Sequence, residues 1–276
     1  MSAVAHPVPA TRWRPTPLVA GSMGLHGAAA LSAILGPEAW VWWAIAAVAG
    51  NHAVLTVFVL WPRSTMLGPN VTRLPHAAAV RDEIAITFDD GPDAEVTPQV
   101  LDLLEARGVR ATFFCIAEKA ERYPEIVHEI VRRGHSVENH SSGHQVTFAL
   151  RGLGGIRREI TAAQRCLGEL AGKPPRFFRS PAGFRSPLLD PVLHDLGLRL
   201  VSWTRRGFDT RRADVEFVAE RLLRGLAPGD ILLLHDGHSA RTSTGVPVVL
   251  EVLPRVLDAA QRQGLRPVTL AQAIDP

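Results

Sequence analysis

Charge is spread so unevenly along this chain that its distribution limits the possible folds more than any other feature. Of 57 charged residues in 276, only Arg12, Arg14 and Glu38 precede Arg63. Residues 15–37 carry no charge, and neither do residues 39–62. A helix needs roughly 20 predominantly apolar residues to cross the hydrocarbon core of a bilayer, and each stretch is long enough. Trp13, Trp40, Trp42, Trp43 and Trp61 fall at the ends of the two stretches, where aromatic belts form at the membrane–water interface. The chain is therefore expected to begin with a membrane segment, residues 1–62. Its two spanning helices, at about 17–35 and 39–61, are joined into a hairpin by Gly36-Pro37-Glu38.

Two other readings compete, buried helices of a soluble domain and a cleaved signal peptide. Arg12 and Arg14 come late for a signal sequence, and no small-residue cleavage site separates the stretches. A hairpin returns the chain to the side on which it began. Arg12, Arg14, Arg63, Arg73 and Arg81 flank the spans on that side, whereas the short link has no basic residue. The positive-inside rule then favours a cytoplasmic placement for the residues beyond the hairpin. The expected location is a bacterial-type inner or plasma membrane, in contact with membrane lipid.

Beyond Pro62, 54 charged residues in 214 give the ordinary globular share, about 25%. We expect a connector at 63–80 and a domain at 81–276, long enough for a sizeable core. The formal charge of +3 is mild, and the 28 arginines are scattered among acids with few aromatics, which argues against a nucleic-acid partner. Cys115 and Cys166 have no CxxC partner and imply no disulfide scaffold; Cys115 lies in an apolar run and reads as packing.

Short segments at 84–88, 111–116, 136–139, 176–178, 199–203, 231–234 and 266–269, several of them apolar runs, read as strands, separated by helical patterns. The first helix is expected to be capped by Thr97, with Pro98 in its first position. Alternation of this kind implies parallel βαβ units, hence an open sheet or a barrel. Polar residues follow five of the strands: Asp89 and Asp90, His140 and His144, Arg179, Asp209, and His235. Barrels gather chemistry at the carboxyl ends of several strands, whereas open sheets use one switch point. The expected fold is α/β, a distorted or incomplete TIM-like (β/α) barrel preceded by N-terminal transmembrane helices.

In Thr87-Phe88-Asp89-Asp90-Gly91-Pro92, neighbouring strand residues point to opposite sides, so the two carboxylates are expected to do different work. One can hold a metal while the other takes a proton. His140-Ser141-Ser142-Gly143-His144 offers two imidazoles that converge if the loop turns like one helical turn. Two histidines and an aspartate form the facial set of a catalytic metal site, and hydrolysis then needs a base and a protonated histidine nearby. Each piece alone has a plainer reading: a solvated turn, a surface histidine pair, or a strand ending in the satisfied histidine of Leu233-Leu234-His235. His128, His135 and His194 read as surface or core residues, and His238, three after His235, is read the same way, with a place at the mouth of the pocket as the alternative.

Taken in order, these motifs closely resemble the polysaccharide deacetylase family, the NodB-homology domain of carbohydrate esterase family 4, over about residues 81–272. TFDDGP stands at Thr87–Pro92, H-S-x-x-H at His140–His144, R-x-P at Arg179–Pro181 and L-x-H at Leu233–His235. The resemblance implies that Asp89 is the general base and that Asp90, His140 and His144 bind a divalent metal, usually zinc. It further implies that His235 is the general acid, that Arg179 orients and tunes Asp89, and that Asp209 pairs with His235. Two departures stand out. The tyrosine after Pro181 is Ala182, which keeps the backbone N–H but changes the pocket wall. Asp209 is followed by Thr210 instead of tryptophan, with Arg206 at an earlier aspartate position, so Trp203 or Phe208 would have to supply the surface on which a sugar stacks. The implied function is a membrane-anchored, metal-dependent hydrolase of non-peptide carbon–nitrogen bonds. It would remove an N-acyl group, usually N-acetyl, from an amino sugar in an oligosaccharide, a polysaccharide or a lipid-linked sugar. Alternatives are an amidase acting on a small non-sugar amide and a non-catalytic sugar-binding membrane module.

Overall fold

Two apolar helices lead the chain, which this computed structural model describes over residues 12–275. Helix α1 spans Pro17–Leu35 and α2 spans Glu38–Val59. Thr16 caps α1 by accepting from the Val19 N–H, and Pro17 takes the first position, where its missing N–H costs nothing. Asn51 on α2 donates to the Ser22 hydroxyl on α1 at 2.8 Å, so polar side chains of the pair face each other. Val19 is the only buried residue of the two helices. Ile34, Leu35, Trp42 and Trp43 are each more than 70% exposed, which sets these helices apart from core helices of a soluble domain.

Eight parallel strands come next: β1 Glu83–Gly91, β2 Thr112–Cys115, β3 Ser136–Asn139, β4 Phe177–Phe178, β5 Arg199–Leu200, β6 Arg205–Arg206, β7 Ile231–His235 and β8 Arg266–Val268. Their order is β5-β4-β3-β2-β1-β7-β6, with β8 paired to the start of β1. The helices around them are α3 His76–Val80, α4 Val96–Glu105, α5 Ala117–Arg122, α6 Pro124–Arg132, α7 Leu153–Ala171, α8 Leu189–Asp195, α9 Val215–Leu223, α10 Val248–Arg262 and α11 Leu270–Ile274.

The edge strands β5 and β6 are consecutive in the chain, and this decides the shape. Five steps from Leu200 to Arg205 reach at most about 18 Å, whereas the edges of a flat seven-strand sheet lie about 29 Å apart. The sheet is therefore curled into an incomplete TIM-like barrel, and residues 201–204 cross its opening. Val71 bridges Val201 at this gap, and Leu74 and Ala78 join the inner core beside Val201, Trp203 and Leu233. The segment read as a connector thus fills the opening.

Some local expectations need correction. Strand β6 carries no apolar signal and is absent from the expected strands, the strand expected at 199–203 is laddered to β4 only at Arg199–Leu200 and then bridges Val71 at Val201, and α5 is an additional helix. Thr97 lies inside α4 instead of capping it. Asp93 Oδ1 accepts from the Glu95 and Val96 N–H groups, while the Thr97 hydroxyl donates to buried Asp236 at 2.6 Å.

Candidate active site

Strand parity aims most of the site. On β1, Ile84, Ile86 and Phe88 pack against the outer helices and Ala85 packs inward, so Thr87 and Asp89 face the barrel interior. On β7, Ile231 and Leu233 are inner, and His235 has the same parity, paired in register with Asp89. Asp90 has the wrong parity to join them. The ladder slips between Asp89 and Gly91, and Asp90 takes a φ of +69°, a bulge that swings its side chain back to the inner face. Its Oδ1 lies 3.3 Å from His140 Nε2, and Asp89 Oδ2 lies 3.7 Å from the same nitrogen. The two carboxylates therefore converge, contrary to the divergence expected of strand neighbours. The bulge is held from outside by Lys119 Nζ, which donates to the Asp90 carbonyl at 2.8 Å.

His140 and His144 meet through a turn with left-handed residues, Ser141 at φ +68° and His144 at φ +49°, and not through a helical turn. Asn139 Oδ1 accepts the Ser141 N–H, and Ser141 Oγ accepts the His144 N–H. The His140 Nδ1–H donates to the Arg179 carbonyl at 2.8 Å, leaving the Nε2 lone pair directed at the carboxylates. His144 Nε2 lies 3.1 Å from Asp90 Oδ1.

One donor atom each from Asp90, His140 and His144 fall within 4.8 Å of one another. Asp90 Oδ1, at their centre, is buried with no hydrogen-bond partner, as an oxygen prepared for a cation would be. Burial pushes His144 down to about 4, helped by the charge of His140, so it is a neutral donor at pH 7. Burial alone would raise Asp90, but the neighbouring His140, His238 and His144 outweigh it and hold the carboxyl well below its usual range. Burial also opposes protonation of His140, and the Asp89 and Asp90 charges reverse the balance and raise its pKa. An N₂O donor set with a second carboxylate beside it suits zinc or another divalent ion.

Arg179 is 1% exposed and spends its guanidinium on fixed partners. Nη1 donates to Asp89 Oδ1 at 2.6 Å and to Thr87 Oγ1 at 2.8 Å, while Nε and Nη2 donate to the carbonyls of Val201 and Ser202. On the other wall, fully buried Asp209 accepts the His235 Nδ1–H at 2.8 Å and the His235 backbone N–H at 2.7 Å. Burial disfavours the imidazolium, yet Asp209 outweighs this and pushes His235 up to about 9. His235 is thus a protonated acid at neutral pH, with Nε2 left for a substrate.

These groups surround a cavity of about 160 Å³ whose lining includes Asp89, Asp90, His140, His144, His235, Ala182 and Trp203. Ala182 sits at φ +54°, a left-handed position. Arg179 and Asp209 stand behind the lining. Pro181 is buried in the adjoining turn, and Phe208 lines a neighbouring cavity instead. Sequence reasoning missed Gly183 and Arg211 in the lining, residues with no motif signal of their own, and noted Thr210 only as the residue in place of a motif tryptophan. His238 lines the mouth with Nδ1 3.4 Å from Asp90 Oδ2. His135, by contrast, accepts the Ala111 N–H in the core and lies away from the site.

The family model for polysaccharide deacetylases matches residues 77–201. A peptidoglycan-N-acetylglucosamine deacetylase of Bacillus cereus is 32% identical over 191 residues, which cover 68% of this chain and 66% of that protein's length. A chitooligosaccharide deacetylase of Azorhizobium caulinodans is 37% identical over 158 residues, covering 57% of this chain and 75% of the relative. A crystal structure of a peptidoglycan N-acetylglucosamine deacetylase in complex with 4-naphthalen-1-yl-N-oxidanyl-benzamide superposes with a TM-score of 0.67 at 28% identity, covering 74% of this chain and 92% of the other.

Proposed function

We propose a substrate and a mechanism for this chain on one premise: it belongs to the polysaccharide deacetylase family and is a hydrolase of carbon–nitrogen bonds. The substrate is an N-acetylglucosamine unit of a glycan or glycolipid, as with the peptidoglycan and chitooligosaccharide deacetylases it resembles. The observation that carries this reading is the convergence, in one cavity, of a three-donor cluster, a carboxylate anchored by arginine and a histidine raised by aspartate.

Asp90, His140 and His144 would hold the divalent metal. An ion there supplies Lewis-acid polarisation of the acyl carbonyl and acidifies water. Asp89, locked by Arg179, accepts the proton of the attacking water as general base. His235 is protonated at neutral pH and donates from Nε2 to the departing amine, while Asp209 stabilises the imidazolium before transfer. The acetyl carbonyl, gaining charge during attack, is served by the backbone N–H of Ala182, since those of Gly183 and Phe184 are used within the turn. The N-oxidanyl-benzamide in the related crystal structure is a hydroxamic acid, a two-oxygen ligand for such a cation, and fits a shared site. Helices α1 and α2 anchor the enzyme in a bilayer.

The test is acetate release from chitooligosaccharide by purified full-length protein, with metal content measured alongside. Chelation should abolish turnover, and added zinc should restore it. Asp89→Asn should lower kcat by about 10²–10⁴ while metal content stays unchanged. Asp90→Ala should lose both metal and activity. Full turnover after chelation, or in Asp90→Ala, removes the metal assignment.

A further inference from the structure

A second cavity, of about 350 Å³, adjoins the catalytic one, and the two share Trp203 and Arg206. Its remaining lining includes Trp61, Arg63, Phe208 and Arg221, and no carboxylate contributes to it. The availability of its arginines differs. Arg205 is consumed by Asp230 and by the carbonyls of Arg224 and Gly225. Arg63 reaches only the Thr204 carbonyl, at 3.3 Å. Among the described residues, Arg206 and Arg221 have no ion pair and no side-chain hydrogen bond. Arg206 is clamped between the rings of Trp203 and Phe208, at 5.3 and 5.0 Å, and Arg221 lies 5.3 Å from the Phe208 ring centroid. The Nε of Arg206 is buried without a partner.

Of these three guanidinium groups with spare donors around one concavity, Arg206 is partly offset by the charges of Asp89 and Asp209, whereas Arg63 and Arg221 face no carboxylate, and a planar fork that cannot deprotonate suits phosphate oxygens. Position narrows the anion further. Trp61 and Arg63 come directly after the end of α2 at Val59, so this wall of the cavity lies where a spanning helix leaves the bilayer, at the depth of lipid phosphates. The catalytic cavity is on the other side of Arg206. We infer that the arginine cavity binds the phosphate of a lipid-phosphate-linked amino sugar, whose N-acetyl group then enters the catalytic cavity. This refines the substrate of the deacetylase proposed above and rests on that reading.

Three probes separate the contributions in detergent micelles: N-acetylglucosamine 1-(hexadecyl phosphate), its neutral hexadecyl glycoside, and soluble N-acetylglucosamine 1-phosphate. For the full-length enzyme, kcat/KM should be at least about 10-fold higher for the lipid phosphodiester than for either other probe. Arg63→Gln combined with Arg221→Gln, both outside the catalytic cavity, should erase that advantage while leaving the neutral glycoside within about twofold. The corresponding Arg→Lys pair, which keeps the charge, should recover part of it. Equal turnover of phosphodiester and neutral glycoside overturns the anion site. Equal turnover of phosphodiester and soluble phosphate overturns the lipid origin. If no probe is turned over, the deacetylase reading fails, and calorimetric titration of the phosphodiester decides this proposal alone: equal affinity in wild type and the Gln pair overturns it.

Discussion

Asp209 and His235 show how a single hydrogen bond sets the working protonation state. Burial would strip the proton from His235, but Asp209, fully buried and bonded to both Nδ1 and the backbone N–H, pushes it up to about 9. A raised histidine pKa means that the acid form persists through neutral pH and is lost as pH climbs past the raised value. Activity should therefore fall on an alkaline limb near 9. Asp209→Asn removes the charge that raises His235 and should move that limb down toward or below the ordinary histidine value of 6.5. A kcat/KM profile against pH measures the shift, and an unmoved limb would deny His235 the role of acid. At this scale the sequence was most legible, because chemistry prescribes residue types: the residues proposed as base, metal donors and acid all stood in motifs, and the fold brings them to one cavity. Asp90 was the exception. Its direction depends on the sign of one φ, which no side-chain pattern encodes.

That sign belongs to the β1 bulge, and the bulge is held by its neighbours. Gly237, just past β7, has no room for a side chain: a Cβ there would lie 2.0 Å from the Asp90 carbonyl oxygen, which Lys119 also grips. Gly237→Ala must displace either the Asp90 backbone or the segment after His235. The expected result is a 10- to 100-fold loss of zinc affinity, roughly the effect of disturbing a supporting shell, measured by competition with a chromophoric chelator. Wild-type affinity would mean that the ligand loop is not positioned by this packing. Element boundaries were less readable for a related reason. Strands β1, β2 and β7 have runs long enough to show parity, whereas β4, β5 and β6 are two residues each and are paired only because the curl brings them together. Arg205-Arg206 has no apolar residue, and its pairing to β7 is imposed by tertiary structure.

At the scale of the whole molecule two apolar helices precede a barrel of ordinary globular composition, and the uneven charge that marks this division also predicts which way a spanning hairpin would be inserted. The incomplete barrel could be read from polar residues at five strand ends, but the crossing of its opening could not, because the four residues from Val201 to Thr204 mean nothing until the edges they join are known. The hairpin of two helices could be read, because each helix lies in its own uncharged, apolar stretch. Its orientation rests on Arg12, Arg14, Arg63, Arg73 and Arg81 on the barrel side against a link without a basic residue. If those arginines hold their side in the cytoplasm, Glu38 at the turn is outside and the barrel is inside. Both native cysteines are free and buried, so a membrane-impermeant maleimide has little background to label. Glu38→Cys should be labelled in intact cells. Leu150→Cys, at a position 84% exposed on the barrel, should be labelled only after the membrane is broken. The reverse pattern would place the catalytic cavity outside, where its phosphate-linked substrate would have to be presented by the outer leaflet.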